Sequence, residues 1–214
     1  MKQYTDITVL LDRSGSMESI KTAMEEAFNS FVEGHKTVPT TRVTLIQFDT
    51  QDKQEIVYQG VPVEYAEKLV LKPRGGTPLL DALCDTIDRT GTRLANLPES
   101  ERPEKVLVVV ITDGEENASR TYKRQDVFNR VTKQTRDYNW QFVYLGANQD
   151  AIHEAVTFGI NPGYAFTYAP SGAGTRSMGQ SLTANTVAYA SQGGAAVMDS
   201  FTDDQREDAL GADK

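Results

Sequence analysis

Apolar and polar positions come in blocks along this chain, and the period changes from one block to the next. "ITVLLD", Ile7 to Asp12, is a continuous apolar run closed by an acid, which predicts a buried strand. In "ESIKTAMEEAFNSFVEGH", Ile20, Ala23, Met24, Ala27, Phe28, Phe31 and Val32 fall on a 3.6-residue stripe, with Glu25, Glu26 and Asn29 outside it. That spacing predicts a helix. "RVTLIQFD" predicts a second strand and "QEIVYQGVPV" a third. The third is more polar and carries Pro62, which cannot donate to a ladder, so it is expected at a sheet edge. A helix from Pro78 to Leu97 is apolar at Leu80, Leu83, Cys84, Ile87 and Leu94, and should carry Asp81, Asp85 and Asp88 on its outer face.

"KVLVVVITDG" is apolar on both faces, as the centre of a parallel sheet requires. A helix around Gln125 to Tyr138, a strand "WQFVYLGAN", a helix from about Gln149 to Phe158 and a strand "YAFTYA" complete the alternation. Alternating strands and helices predict an α/β fold with an open, doubly wound, mostly parallel, Rossmann-like sheet. Helices should cover both faces, with one antiparallel edge strand. From Ser171 the composition shifts to Gly, Ala and Ser, with a weak helical stripe at Met178, Leu182 and Tyr189. Thr202 with Gln205 three residues later predicts a short capped helix. The expected organisation is a domain over 1–170 and, over 171–214, a packing helix with a loosely held Gly/Ala/Ser-rich tail.

Charge and composition narrow the classes. The chain has 214 residues, with 22 Lys and Arg against 30 Asp and Glu, a net charge of −8. There is no basic footprint for nucleic acid, whereas acidity suits a cation. The single cysteine, Cys84, allows no intramolecular disulfide. The N-terminal apolar run lacks a small-residue cleavage site, and nothing reaches the ~18 apolar residues of a membrane span. The expectation is a cytoplasmic protein with no membrane partner.

In an open α/β sheet, ligands lie beyond the carboxyl ends of the strands. The first strand ends in Asp12, Ser14 and Ser16, and the central one in Thr112, Asp113 and Gly114. Thr77 follows Gly75 and Gly76 and precedes the helix beginning at Pro78. Two carboxylates and three hydroxyls can meet there, all hard oxygen donors that prefer Mg²⁺, Mn²⁺ or Ca²⁺ to zinc. Read singly, Asp12 is a strand-end acid bonded to backbone N–H groups, and Ser14 or Ser16 a helix cap. Glu115 and Glu116 read as solvated charges, with shaping of the site's rim towards cationic neighbours as the alternative, and Asn148 and Asp150 as caps of the next helix or as contacts on the rim of the site. His35 and His153 are isolated, Cys84 faces the core, and Trp140 opens a strand as a packing residue.

The ordered set Asp-x-Ser-x-Ser, a distant Thr and a strand ending Thr-Asp-Gly resembles the metal-ion-dependent adhesion site of von Willebrand factor type A domains. The resemblance spans roughly residues 3 to 168, and "GGTPLLDAL", "TDGEENAS" and "FVYLGANQDAI" are similar to stand-alone bacterial and phage members. It implies that Ser14 and Ser16 bind an ion directly, Thr77 joins in the ligand-competent state, and Asp12 and Asp113 hold it mainly through water. A partner's Asp or Glu would complete the coordination. Gly75 and Gly76 would let the Thr77 loop shift.

Three function classes follow. The first is a metal-dependent protein-binding module. The second is an intracellular accessory subunit of an AAA+ ATPase or of a stress- or phage-related complex, which needs the same five residues. The third, a phosphatase-like enzyme with Asp12 as nucleophile, lacks the second acid two residues on, where Ser14 stands. The chain also has no Walker-type loop, no G-x-S-x-G elbow and no Ser-His pair. The reading expected from the sequence is therefore a non-enzyme.

Overall fold

Both faces of the sheet are apolar, so the strands must be covered twice, and among the described residues six α-helices do so. The computed structural model describes residues 2–38, 40–194 and 196–211. Its strands are β1 (Lys2–Asp12), β2 (Thr41–Phe48), β3 (Glu55–Pro62), β4 (Pro103–Thr112), β5 (Gln141–Ala147) and β6 (Ala165–Tyr168). They form one sheet in the order β3-β2-β1-β4-β5-β6. Every neighbouring pair is parallel except β2 with β3. The expected antiparallel edge strand is β3, and Pro62 is its last residue.

The helices are α1 (Lys21–His35), α2 (Leu79–Ala95), α3 (Arg124–Tyr138), α4 (Ala151–Thr157), α5 (Gly172–Ser191) and α6 (Asp203–Leu210). Successive strand residues point to opposite faces. Ile7, Val9, Leu11, Leu107, Val109 and Ile111 therefore share one core with Met24, Phe28 and Phe31 of α1 and Met178 and Leu182 of α5. Leu10, Val108, Val110, Phe142 and Tyr144 face the other way, onto Leu83, Cys84 and Ile87 of α2 and Val127 and Val131 of α3. The doubly wound α/β architecture read from the sequence is the one found.

Two details differ from expectation. From Met198 to Ala209 the segment after α5 is packed on the domain instead of loosely held. Met198, Phe201 and Ala209 are buried in the same core as α1 and α5, Phe201 meets Phe166 edge-on at 4.7 Å, and the Ala169 amide donates to the Ala209 carbonyl (2.8 Å). Ala212 to Lys214, at the end of the expected tail, lie outside the described residues. The weak stripe on α5 understated its packing because α5 meets α1 through small residues. A Cβ on Gly179 would lie 2.6 Å from the Ala27 Cβ, so close approach replaces bulk.

The second difference is Asp81, which is fully buried rather than on the outer face of α2. It sits in the first turn, where the free N–H groups of a helix favour an acid. Its carboxylate also accepts from the amides of Arg120 (3.1 Å), Thr121 (2.9 Å) and Tyr122 (2.9 Å) and from Lys53 Nζ (2.6 Å). Asp81 thus pins the loop after β4 to the start of α2.

Candidate functional site

The strand order turns outward in both directions from the β1–β4 seam, and such a switch point opens a crevice at the carboxyl ends of the strands. β1 ends in Asp12 and the loop after it carries Ser14 and Ser16, while β4 ends in Thr112 and is followed at once by Asp113. Asp12 is completely buried. Its Oδ1 accepts from the Ser14 amide (2.7 Å) and its Oδ2 from Thr112 Oγ1 (2.6 Å). Ser14 Oγ lies 3.0 Å from Ser16 Oγ, and Ser16 Oγ donates to Asp113 Oδ1 (2.7 Å). A Cβ placed on Gly114 would lie 3.6 Å from Ser16 Oγ and 3.7 Å from Thr77 Oγ1. All five residues singled out in the sequence therefore reach one place, with Ser16 at its solvent side.

The helix-cap reading of Ser14 does not hold. It precedes a short 3₁₀ turn (Gly15–Ile20), but its side chain makes no capping bond and faces Ser16 instead. The strand-end reading of Asp12 is half right, since one oxygen takes a backbone amide and the other the Thr112 hydroxyl.

The Thr77 segment is fastened on both sides. The Arg74 amide donates to the Arg13 carbonyl (2.8 Å) and the Gly15 amide to the Gly75 carbonyl (3.0 Å). Thr77 N–H donates to Asn117 Oδ1 (2.9 Å), and the Asn117 amide returns a bond to the Thr77 carbonyl (3.2 Å). Gly75 has φ +70°, and a Cβ there would lie 2.4 Å from Thr50 Oγ1. Its glycine is thus required by a left-handed turn and a close approach.

Electrostatics set the two acids apart. Burial, only partly offset by the bonds from Thr112 and Ser14 and reinforced by the charge of Asp113, pushes Asp12 up to about 6. Burial also raises Asp113, against the bond from Ser16. Among the described residues neither carboxylate has an ion-pair partner. Nor, among those residues, is any group of three or more His, Cys, Asp and Glu side chains placed to hold a metal. The donors here are two carboxylates and three hydroxyls.

Sequence reasoning missed the residues that brace these loops. Arg13 is buried and turned to Asp49 and Glu55: its Nε donates to Asp49 Oδ2 (2.8 Å), its Nη2 lies in ion-pair contact with the same oxygen (2.8 Å) and its Nη1 donates to Glu55. Arg74 Nε reaches the same Asp49 oxygen (2.8 Å). Asp49 thereby joins the β1 loop, the β2 loop and the Thr77 loop. Burial alone would raise its pKa, but bonds from Arg74, the Asp52 and Gln51 amides and Arg13 hold it below its usual range. Glu115 is exposed, as expected. Glu116 is not a free charge, because it accepts from the amides of Leu80 (2.9 Å), Ala118 (2.9 Å) and Ser119 (2.7 Å). Asp150 caps α4 through the His153 amide (2.9 Å), while Asn148 turns to the Asp113 carbonyl (2.9 Å). Cys84 and Trp140 are core residues.

The sequence profile of the von Willebrand factor type A domain family matches residues 5–155, and the chain belongs to that family. Among proteins of curated function, none matches it. Solved structures agree on the fold. Proximal thread matrix protein 1 from the mussel byssus is 16% identical, with a TM-score of 0.61 over 86% of this chain and 46% of that one. Another structure of the mussel protein, 14% identical with a TM-score of 0.58 over 86% of this chain and 46% of that one, has a zinc-occupied MIDAS motif. A von Willebrand factor type A protein from Catenulispora acidiphila is 14% identical, at 0.59, over 86% and 43%. The pilus adhesin SpaC from Lactobacillus rhamnosus GG is 13% identical, at 0.60, over 87% and 31%. This chain thus spans less than half the length of each.

Proposed function

We propose that this chain is a metal-dependent protein-binding module in which Asp12, Ser14, Ser16, Thr77 and Asp113 hold a divalent cation. One observation carries the reading: two buried carboxylates that, among the described residues, have no ion-pair partner converge with three hydroxyls at the carboxyl end of the sheet, where Ser16 is exposed. Buried carboxylates without a countercharge are costly, and an all-oxygen set suits a hard cation. The ion of choice is Mg²⁺, with Mn²⁺ and Ca²⁺ as alternatives, because no His or Cys joins the donors. A cation held there supplies positive charge at the crevice mouth for a carboxylate of a partner protein.

The residues divide the work. Ser14, Ser16 and Thr77 present neutral hydroxyls, so the ion's charge is left unquenched for the partner's Asp or Glu. Asp12 and Asp113 anchor from beneath, each already oriented by a hydroxyl hydrogen bond. The role in this reading is recognition: the hydroxyl–carboxylate contacts of Ser16 with Asp113 and of Thr112 with Asp12 orient oxygen donors for the ion. In this reading residues 1–170 form the binding domain, and the described residues after 170 buttress it through α1 and β6. Among the described residues no helix is long and apolar enough to cross a membrane. A cytoplasmic site of action accords with the lone, buried Cys84.

The test uses Mn²⁺ and its paramagnetic resonance spectrum. The wild type is expected to bind Mn²⁺, and a short Asp-containing peptide should change the bound spectrum while its Asn counterpart does not. A spectrum indifferent to both peptides would refute partner recognition through the ion.

A further inference from the structure

The end of β4 is held from its outer side by residues outside the five-residue set. Three successive backbone carbonyls each accept a hydrogen bond from a different side chain. Tyr168 Oη donates to Thr112 O (3.1 Å), Asn148 Nδ2 to Asp113 O (2.9 Å) and Gln149 Nε2 to Gly114 O (3.0 Å). These donors come from the end of β6 and from the loop between β5 and α4.

Each donor is itself placed. Tyr168 is completely buried, so its hydroxyl has a fixed position under the strand end. Gln149 receives Tyr144 Oη on its Oε1 (3.3 Å), which leaves its amide nitrogen facing Gly114. A Cβ on Gly146 would come within 3.0 Å of that nitrogen, so the glycine leaves the amide its room. The Gln149 carbonyl also accepts from Thr167 Oγ1 (3.0 Å), tying the loop to β6. Asn148 has φ +56°, a left-handed conformation that Asn adopts more readily than most residues.

We infer that Tyr168, Asn148 and Gln149 are positioning residues for Asp113, fixing the β4 terminus so that its carboxylate is aimed before an ion arrives. The inference rests on the metal-binding reading above. Three consecutive carbonyls held from one side leave the peptide planes around Asp113 little freedom. The ordering of that loop then accompanies folding instead of opposing ion binding. Outer residues that orient the groups touching a metal commonly govern its affinity. Here they tie the ion site to β6, on which α6 and the C-terminal segment pack.

The experiment compares full-length wild type with Asn148→Gly and Gln149→Ala, and with Tyr168→Phe as a third variant. Glycine keeps the positive φ of residue 148 at no steric cost and removes only the amide. Mn²⁺ affinity is measured by paramagnetic resonance, amide hydrogen exchange over 113–119 is read in metal-free protein, and melting temperature is recorded alongside. Asn148→Gly and Gln149→Ala should each weaken Mn²⁺ binding by about tenfold, the low end for such outer residues. Exchange over 113–119 should quicken while the melting temperature stays at the wild-type value. Wild-type Mn²⁺ affinity in both variants would overturn the inference, whatever the exchange shows. Failure of the wild type itself to bind Mn²⁺ would instead overturn the metal reading, and this inference with it.

Discussion

Buried aspartates are treated in two opposite ways in this molecule. Asp49 and Asp81 are completely buried and each meets cations: Arg13 and Arg74 for the first, Lys53 for the second. Asp6, also buried, takes a bidentate pair of bonds from Arg93 at 2.9 and 2.6 Å. Asp12 and Asp113 are as deeply buried but, among the described residues, receive only neutral donors. The consequence is visible in their acidities. Charge-assisted bonds hold Asp49 and Asp81 down, while burial drives Asp12 and Asp113 up. The first group is structural and charge-neutralised by the chain. In the proposed function the second takes its countercharge from a bound cation.

The comparison can be broken most forcefully at Asp49. Among the described residues, Asp49→Ala would leave buried Arg13 with half-exposed Glu55 as its remaining acid. Unfolding free energy should fall by about 3 kcal/mol, the low end for breaking a buried pair because that second partner remains. Chemical denaturation measures it, and an unchanged midpoint would remove Asp49 from the bracing role.

Asp81→Ala removes the acceptor of three amides and of Lys53, for an expected loss of about 2 kcal/mol. Faster hydrogen exchange at Arg120 to Tyr122 should accompany it. Next in size is the acid limb of stability. Asp49 and Asp81 have folded-state pKa values below their unfolded ones, so their stabilisation is present above roughly pH 4 and is lost as pH falls through the folded values. Acid unfolding followed by circular dichroism should therefore begin below about pH 4, and Asp49→Asn should flatten that limb.

The smallest expected effect has the opposite sign. Asp12→Asn in metal-free protein at neutral pH should leave stability unchanged or raise it by about 1 kcal/mol, because it removes an unpaired buried charge. A loss comparable to that of Asp49→Ala would mean that the two groups of acids are alike, and the comparison would collapse.

Much of this was legible in the sequence because it depends on local pattern. The apolar runs and the helical segments between them announce β1 to β6 and α1 to α4, and Pro62 marks the edge strand. The Asp12, Ser14, Ser16, Thr77 and Asp113 set is recognisable from its order along the chain. What escaped depends on partners far apart in sequence. Asp81 looks like an exposed helix acid until the 120–122 amides fold over it, and Glu116 looks like a solvated charge until it meets Leu80. Position offered a hint for Asp81, three residues after a helix-starting Pro78, where a first-turn acid is favoured. Arg13 hides inside the Asp-x-Ser-x-Ser motif, and nothing local says that it turns towards Asp49. The packing of α5 was understated because Gly179 works by having no side chain, to which a hydrophobic pattern is blind.

The central claim is that the unpaired acids mark a cation site, and calorimetric titration of Mg²⁺ into metal-stripped protein tests it most directly, with Asp12→Ala as control. Saturable binding at one site in the wild type, absent in the control, is the predicted result. Equal heats in wild type and Asp12→Ala, or none in either at millimolar Mg²⁺, would contradict it.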